Sequence, residues 1–533
     1  VKHSVVQRVA GFCASWARLL AAPRTTSSLW ALASLSVFAL LAILYVLAIS
    51  RYWKISPDST SYVSAAYSLA SGQGYRKAGE AVLLYPPVTS LLFSIAILLF
   101  PGSYLALNAL VTAFTLLAHA ASFVLLKKRL DTVKAAVPVL LSLGSIVMFS
   151  NSTKLLSDII YLCFSMVALA LAESIHDRDS EWSHHLLLAL MVGLACMTRI
   201  AGLTLVAAIF LHTLVSRSMR KGRRRLLALM FLVALAVGLW ELRGLRLGAS
   251  YVKLALQNEP WVEEAGYASP LGLLRKFYRN LDDYLQIGDV IANDLSLTLA
   301  ARRSYIGLLA RGAPVALLLL GLARSIRHRM TVTNLYSAIH LLVVGLYYPY
   351  IEERFLLPVV PLLFHYGLVG VQATVAWARL RVGPLAPRIA YVGLFVYGAC
   401  FLRAGVAEML WAIPREHTSP FGAYPIKYEW NYDAQRLAMW VRDNAGPGEA
   451  LVCHHADVMV YLAEREAYAF PFSSDPAKLL DLLEGGQVRY VLADKKKAYV
   501  RDFLLPAIQT YPDRFKLIQE EERASLYEFE LQP

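Results

Sequence analysis

Four charged side chains at the edges of long apolar runs are the residues of this chain best placed to do chemistry. They are Asp58 in Ser56-Pro57-Asp58-Ser59-Thr60-Ser61-Tyr62, Asp158 in Leu155-Leu156-Ser157-Asp158-Ile159-Ile160-Tyr161, Arg199 in Met197-Thr198-Arg199-Ile200-Ala201-Gly202, and Arg354 in Glu352-Glu353-Arg354-Phe355-Leu356-Leu357-Pro358. A carboxylate beside a bilayer is costly enough that its presence is a functional hypothesis by default. Such a group can take the proton of an attacking hydroxyl. A guanidinium offers a fork of donors matched to phosphate oxygens and keeps its charge where a phosphate departs. Each residue also has a plainer reading. Asp58 and Asp158 are good helix caps, Arg199 can snorkel at an interface, and Arg354 has Glu352 and Glu353 next to it for an ion pair.

Other polar groups carry weaker signals. Gly72-Gln73-Gly74 lacks the preceding strand of a phosphate loop and reads as a helix stop. His340 and His365 lie inside apolar runs, where hydrogen-bonded structural roles outweigh metal binding. His454-His455 lacks the spacing of a metal-ligand set.

The elements that must position these groups are membrane helices. The 533 residues are 57% hydrophobic and only 17% charged, too apolar for a soluble globular protein of this length. The net charge of +14 sits in short runs between apolar segments, without the aromatic-interleaved groove that nucleic acid binding requires. Five cysteines show no CxxC spacing, so neither a disulfide framework nor a cysteine metal cluster is expected. Residues 1–28 read as a basic cytoplasmic arm before a retained first helix.

Apolar runs near 29–49, 105–126, 135–150, 159–171, 186–197, 200–215, 226–240, 306–323, 335–350, 355–377 and 389–402 suggest about eleven transmembrane helices. The run 88–100 is ambiguous. If it does not cross, Lys127-Lys128-Arg129 and the basic runs 217–225, 324–329 and 379–388 all share the side of the N-terminal arm. The first loop, 51–104, then lies outside, with the turns at 152–157 and Arg199, the long loop 248–304, Glu352-Glu353-Arg354 and the C-terminal region. Past Pro414 the composition becomes that of a soluble protein. A helix over 433–444, strands over 450–453 and 488–493, and alternation over 526–531 predict a small α/β domain. The expected organisation is the arm 1–28, a membrane domain 29–411 and a soluble domain 412–533.

In this order the pieces resemble the GT-C superfamily of integral membrane glycosyltransferases, which includes protein O-mannosyltransferases and the aminoarabinose transferase of lipid A. Asp58 stands where the family has its first-loop aspartate, and Tyr85-Pro86-Pro87 is like its (Tyr/His)-Pro-Pro segment. Ser157-Asp158 looks like the second outer acidic site. Thr198 to Gly202 looks like the paired-helix turn, and Glu353 to Pro358 like the Glu-Arg-Tyr-Leu-Leu-Pro stretch. The chain departs from many relatives in carrying Asp58-Ser59 where they have Asp-Glu.

The resemblance implies an all-α polytopic GT-C-like membrane domain followed by a small extracytoplasmic α/β domain. Its membrane is a bacterial plasma (inner) membrane, the favoured reading, or the endoplasmic reticulum, and the charge pattern makes the N-terminus cytoplasmic. It implies transfer of a sugar from a polyprenyl-phosphate donor to an acceptor glycan, lipid or protein on the extracytoplasmic face, with inversion. Asp58 and Asp158 would be catalytic, Arg199 and Arg354 would hold the donor phosphate, and Tyr62, Tyr85 and Glu353 would bind substrate. Glu80 is the one candidate for the acidic member of the aminoarabinose enzyme's zinc-ligand pair, so a divalent metal stays open. The alternative is a transporter or flippase of a lipid-linked glycan. That reading calls for mid-bilayer charges in paired halves, whereas these charges gather at one face and no internal repeat is evident.

Overall fold

The computed structural model describes residues 28–77, 79–176, 182–216, 222–259, 262–284, 305–347, 353–383, 385–418, 432–486 and 488–530. The N-terminal arm through residue 27, the later part of the long loop (285–304) and Glu352 lie outside the described residues.

Among the described residues, six helices are long and apolar enough to cross a membrane: Trp30–Leu47, Tyr104–Lys127, Asp158–Ile175, Arg223–Arg246, Glu353–Arg381 and Pro387–Glu416. A seventh span forms if Thr132–Leu143 and Ile146–Ser152, bent by 61° at Gly144-Ser145, count as one. The expectation of about eleven spans is therefore met in part. The apolar helices Trp182–Thr198, Ile200–Val215 and Val332–Leu346 are shorter than the roughly twenty residues that carry a helix across the hydrocarbon. Val88–Leu99 is shorter still. Leu35, Leu99 and Phe231 are largely exposed, which suits a surface bathed in lipid. Helices Tyr305–His328 and Val360–Val382 meet backbone to backbone. A Cβ on Gly321 would lie 1.9 Å from the Tyr366 carbonyl oxygen, and one on Gly370 equally close to that of Leu317, so both positions require glycine.

The first loop folds onto one end of this bundle. Its helix, Pro57–Ala70, starts with proline at the first position. Ser59 Oγ accepts from the Ser56 backbone N–H at 2.8 Å. The helix stops at Gly72 and Gly74, whose φ values are 74° and 87°, the left-handed region that suits glycine. A two-stranded hairpin, β1 (Arg76–Lys77) and β2 (Glu80–Ala81), follows, and Val88–Leu99 packs back against the loop helix. The long loop contains helices Tyr251–Leu256 and Pro270–Tyr284.

The last of the membrane helices, Leu385–Glu416, runs past residue 411 and past Pro414, where the composition changes. It ends in a buried ion pair between Glu416 and Lys54. Lys54 Nζ also donates to Thr153 Oγ1 at 2.7 Å. Asn108 Nδ2 donates to the carbonyls of Ser50 and Tyr52, completing a polar clamp at the exit of the first span.

The C-terminal region carries a five-stranded sheet of β3 (Ala450–Cys453), β4 (Ala467–Ala469), β5 (Val488–Asp494), β6 (Phe515–Glu520) and β7 (Ala524–Phe529). Their order across the sheet is β4-β3-β5-β7-β6. β4, β3 and β5 are parallel to one another, while β7 is antiparallel to β5 and β6. The alternation of side chains along β3 and β5 feeds two cores. Leu451 and Leu492 pack with Leu437 and Val441 on one face, Val452 and Val491 with Val500 and Phe529 on the other. The sheet domain sits on the first loop: Ile55 packs into its core, and the Trp53 ring meets Tyr461 edge-on at 5.0 Å.

Removing one member of a buried ion pair leaves the other charge uncompensated. Glu416→Gln is therefore expected to destabilise the protein by about 3 kcal/mol, measured as a lowered melting temperature in detergent. An unchanged melt would show that the clamp contributes nothing.

Candidate active site

The start of the loop helix decides what Asp58 can do. Ser56 occupies the cap position and Ser59 satisfies its amide, so the Asp58 carboxylate is left to side chains. The Tyr85 hydroxyl donates to Oδ1 at 2.8 Å, and Arg354 Nη1 forms an ion pair with Oδ2. Burial pushes the Asp58 carboxyl up. The Arg354 charge, the bonds from Tyr85 and Arg354 and the more distant Arg199 outweigh burial and hold it below the usual carboxylate range. The same burial raises the Tyr62 and Tyr85 phenols, which therefore stay protonated.

Asp158 opens the helix Asp158–His176 and is 1% exposed. Its Oδ1 pairs with Arg199 Nη1 at 2.5 Å, while its buried Oδ2 has no hydrogen-bond partner among the described residues. Arg199 is placed by a tight turn after helix Trp182–Thr198. The 3-10 turn Ile200–Gly202 folds back so closely that a Cβ on Gly202 would lie 2.6 Å from Cys196 Cα.

Both arginines converge on one ring. The Arg354 guanidinium carbon lies 5.3 Å from the Phe355 centroid and that of Arg199 5.9 Å, within reach of the negative face of the ring. The ring is set by the turn Glu353–Val359, whose Phe355 carbonyl is 3.0 Å from His340 Nε2. A polar chain then links the two pairs. Tyr62 meets Tyr85 edge-on at 5.1 Å, its hydroxyl is 2.8 Å from Ser157 Oγ, and Arg199 Nη1 is 3.4 Å from that same oxygen.

The structure thus brings Asp58, Asp158, Arg199, Arg354, Tyr62 and Tyr85 together. Glu353 is half-buried at the opening of the turn that carries Arg354. Glu80 is exposed on β2. Among the described residues no group of three or more His, Cys, Asp or Glu is arranged to hold a metal ion. His340 is a scaffold of the site, while His365 lies near Arg129. Sequence reading missed Ser157 as a bridge, Phe355 as a shared platform, and Tyr251, which lies near Tyr85 and Arg199. None of these is charged, and none adjoins its partners in sequence except Phe355.

Comparison with known proteins follows the same lines. Residues 85–240 match the family model described as Dolichyl-phosphate-mannose-protein mannosyltransferase. Among solved structures, the archaeal oligosaccharyltransferase AglB from Archaeoglobus fulgidus, in complex with an inhibitory peptide and a dolichol-phosphate, superposes with a TM-score of 0.55. It is 12% identical over 91% of this chain and 72% of that one. ArnT from Cupriavidus metallidurans bound to undecaprenyl phosphate gives a TM-score of 0.51 at 12% identity, over 93% of this chain and 97% of that one. Comparison with curated proteins finds no match. The GT-C resemblance read from the motifs is borne out at the level of the fold, in an integral membrane protein.

The lowered value of Asp58 has a sign that can be tested. An aspartate held below its ordinary value of about 3.9 stabilises the folded state above that value and loses this contribution as pH falls through the folded one. Wild type is expected to melt above Asp58→Asn from pH 7 downward, with the gap closing only below about pH 4. A gap that closes between about pH 7 and 5 would contradict the pairing.

Proposed function

We propose that this chain is an integral membrane glycosyltransferase that moves a sugar from a polyprenyl-phosphate donor to an acceptor hydroxyl, with inversion at the anomeric carbon. The observation that carries this reading is an ionised carboxylate set beside two arginines that share one aromatic platform. We read the end of the bundle holding the site as extracytoplasmic. Helix Tyr104–Lys127 leads away from the first loop to Lys127-Lys128-Arg129 at the opposite end, where basic residues favour the cytoplasm.

Asp58 takes the proton of the acceptor hydroxyl as that oxygen bonds to the anomeric carbon. The bond from that carbon to the phosphate oxygen breaks, and its electron pair leaves with the phosphate. Arg199 and Arg354 hold the charge that develops there. An arriving phosphate competes with Asp58 for Arg354. Donor binding thereby loosens the pair that keeps Asp58 weakly basic and raises its basicity when a base is needed. The orphaned Oδ2 of buried Asp158 is an acceptor for a donor-sugar hydroxyl.

An apolar groove of about 220 Å³ runs between helices Trp182–Thr198 and Arg223–Arg246, lined by Ala189, Gly193, Met197, Leu229 and Val233. It follows the helix that delivers Arg199, so an isoprenoid tail in the groove places its phosphate at that arginine.

Reconstituted protein supplied with polyprenyl phosphate labelled in the sugar is the test. Asp58→Asn is expected to lower transfer by about 10²- to 10⁴-fold while keeping undecaprenyl phosphate binding, and Arg354→Ala to weaken that binding by at least about tenfold. Parental transfer by Asp58→Asn would remove the base from the mechanism. Movement of intact lipid-linked sugar across the bilayer without cleavage would replace the enzyme with a flippase.

A further inference from the structure

The sheet domain has a ligand-binding geometry that the proposed transfer leaves unused. β3, β4 and β5 run parallel, so their carboxyl ends lie along one edge. From β3 the chain leads to β4 on one side, and from β5 it leads to β6 and β7 on the other. The gap between β3 and β5 is therefore a topological switch point, where open α/β sheets bind their ligands. Three chain segments meet there: His454-His455 after β3, Phe470 to Phe472 after β4, and Lys495 to Lys497 after β5.

The side chains at this edge form a partly exposed aromatic stack beside polar groups. Phe472 and Tyr499 stack at 4.6 Å with rings 9° from parallel, and Phe503 lies 6.3 Å from each. His454 is 5.5 Å from Phe472, 5.6 Å from Tyr499 and 4.1 Å from His455. The next helix, Ala456–Ala463, places Asp457 against the first loop, where Thr60 Oγ1 donates to Oδ2 at 3.1 Å and Lys77 pairs with it at 3.4 Å. Thr60 lies two residues from Asp58 on the same helix, so this edge adjoins the loop that carries the candidate active site.

An ordinary core edge accounts for the aromatic rings, but it leaves His454 Nδ1 buried with no hydrogen-bond partner among the described residues. Burial and the nearby Lys497 charge hold His454 down to about 4 and His455 also well below its usual range. Both imidazoles are then neutral at pH 7, each with one donor and one acceptor nitrogen. Those are the groups that recognise hydroxyls, which are both donors and acceptors, rather than a phosphate.

We propose that the carboxyl edge of β3, β4 and β5 is a carbohydrate-binding subsite that takes a sugar ring of an acceptor glycan, packed against the exposed part of the Phe472–Tyr499 stack with its hydroxyls on His454, His455 and Asp457. The assignment of that sugar as acceptor rests on the glycosyltransferase reading. Recognition at this edge presents a hydroxyl of the same glycan toward Asp58.

The test uses the full chain in detergent and saturation-transfer NMR with methyl α-mannoside, methyl β-galactoside and N-acetylglucosamine, alongside trialanine and inorganic phosphate. At least one saccharide is expected to receive saturation. Tyr499→Ala and Asp457→Asn should each cut that signal at least about fivefold, while Asp58→Asn keeps it. Undecaprenyl phosphate binding equal to the parent's shows that the two subsite variants are folded. Silence from all three saccharides, a saccharide signal that neither variant lowers, or a response confined to trialanine or phosphate would overturn the subsite. Saccharide binding with the expected losses, in a protein that transfers no sugar, would keep the subsite and sink the glycosyltransferase reading instead.

Discussion

A charge held where a helix bundle meets lipid has to be answered by another charge, and the two aspartate–arginine pairs over Phe355 are where this structure meets that demand. Asp58 is answered by Arg354 and Asp158 by Arg199, and the two cations share one ring. The first-loop helix, the opening of helix Asp158–His176, the turn at Gly202 and the turn Glu353–Val359 all have to be in register for these contacts to form. Pairs of this kind return little net stability, because desolvating both ions offsets their attraction. Their retention fits a site in which a ligand exchanges places with one partner, as the proposed donor phosphate does with Asp58 at Arg354.

How far this was legible in the sequence depends on the range of the interaction concerned. The apolar runs were readable because the bilayer imposes composition on every residue that faces it. The number of spans was not, since it depends on where a helix bends, as at Gly144-Ser145, and on which short helices the bundle shelters. Asp58, Asp158, Arg199 and Arg354 stood out as isolated charges, yet their partners did not. Sequence proximity offered Arg354 only the glutamates next door, and the structure brings it Asp58 from the first loop, 296 residues away. Capping was a fair reading of Asp58 until Ser56 and Ser59 were seen to close that helix themselves. In the C-terminal region the strands near 450 and 490 were visible as apolar runs. Their order in the sheet, which creates the switch point, is a property of long-range pairing that local pattern does not carry.

Both large insertions are tied down at the same end of the bundle. Trp53 and Thr60 of the first loop contact the sheet domain through Tyr461 and Asp457. The long loop reaches it through Glu264, which bonds to Ser473 and Ser474 and pairs with Lys478, partners that pull its carboxyl down to about 2. Three regions far apart in sequence therefore enclose the polar end of the membrane helices.

Within that enclosure the loop helix carries a carboxylate on either side of its first turn, one its own and one delivered by the sheet domain, and their environments differ. Asp58 gains two arginines and a phenol and is held below the ordinary range, whereas burial outweighs Lys77 and Thr60 at Asp457 and raises it. Pairs of acids pushed apart in this way take different roles. The more acidic one stays ionised and is suited to receive a proton once a ligand draws off its cation. The less acidic one sits with a lysine and a threonine, two residues along the chain from His455, and is suited to hold hydroxyls in place. The bilayer confines all of this polar chemistry to one end of the bundle, so a substrate with an apolar tail and a polar head fits the membrane side, and one that is polar throughout fits the sheet side.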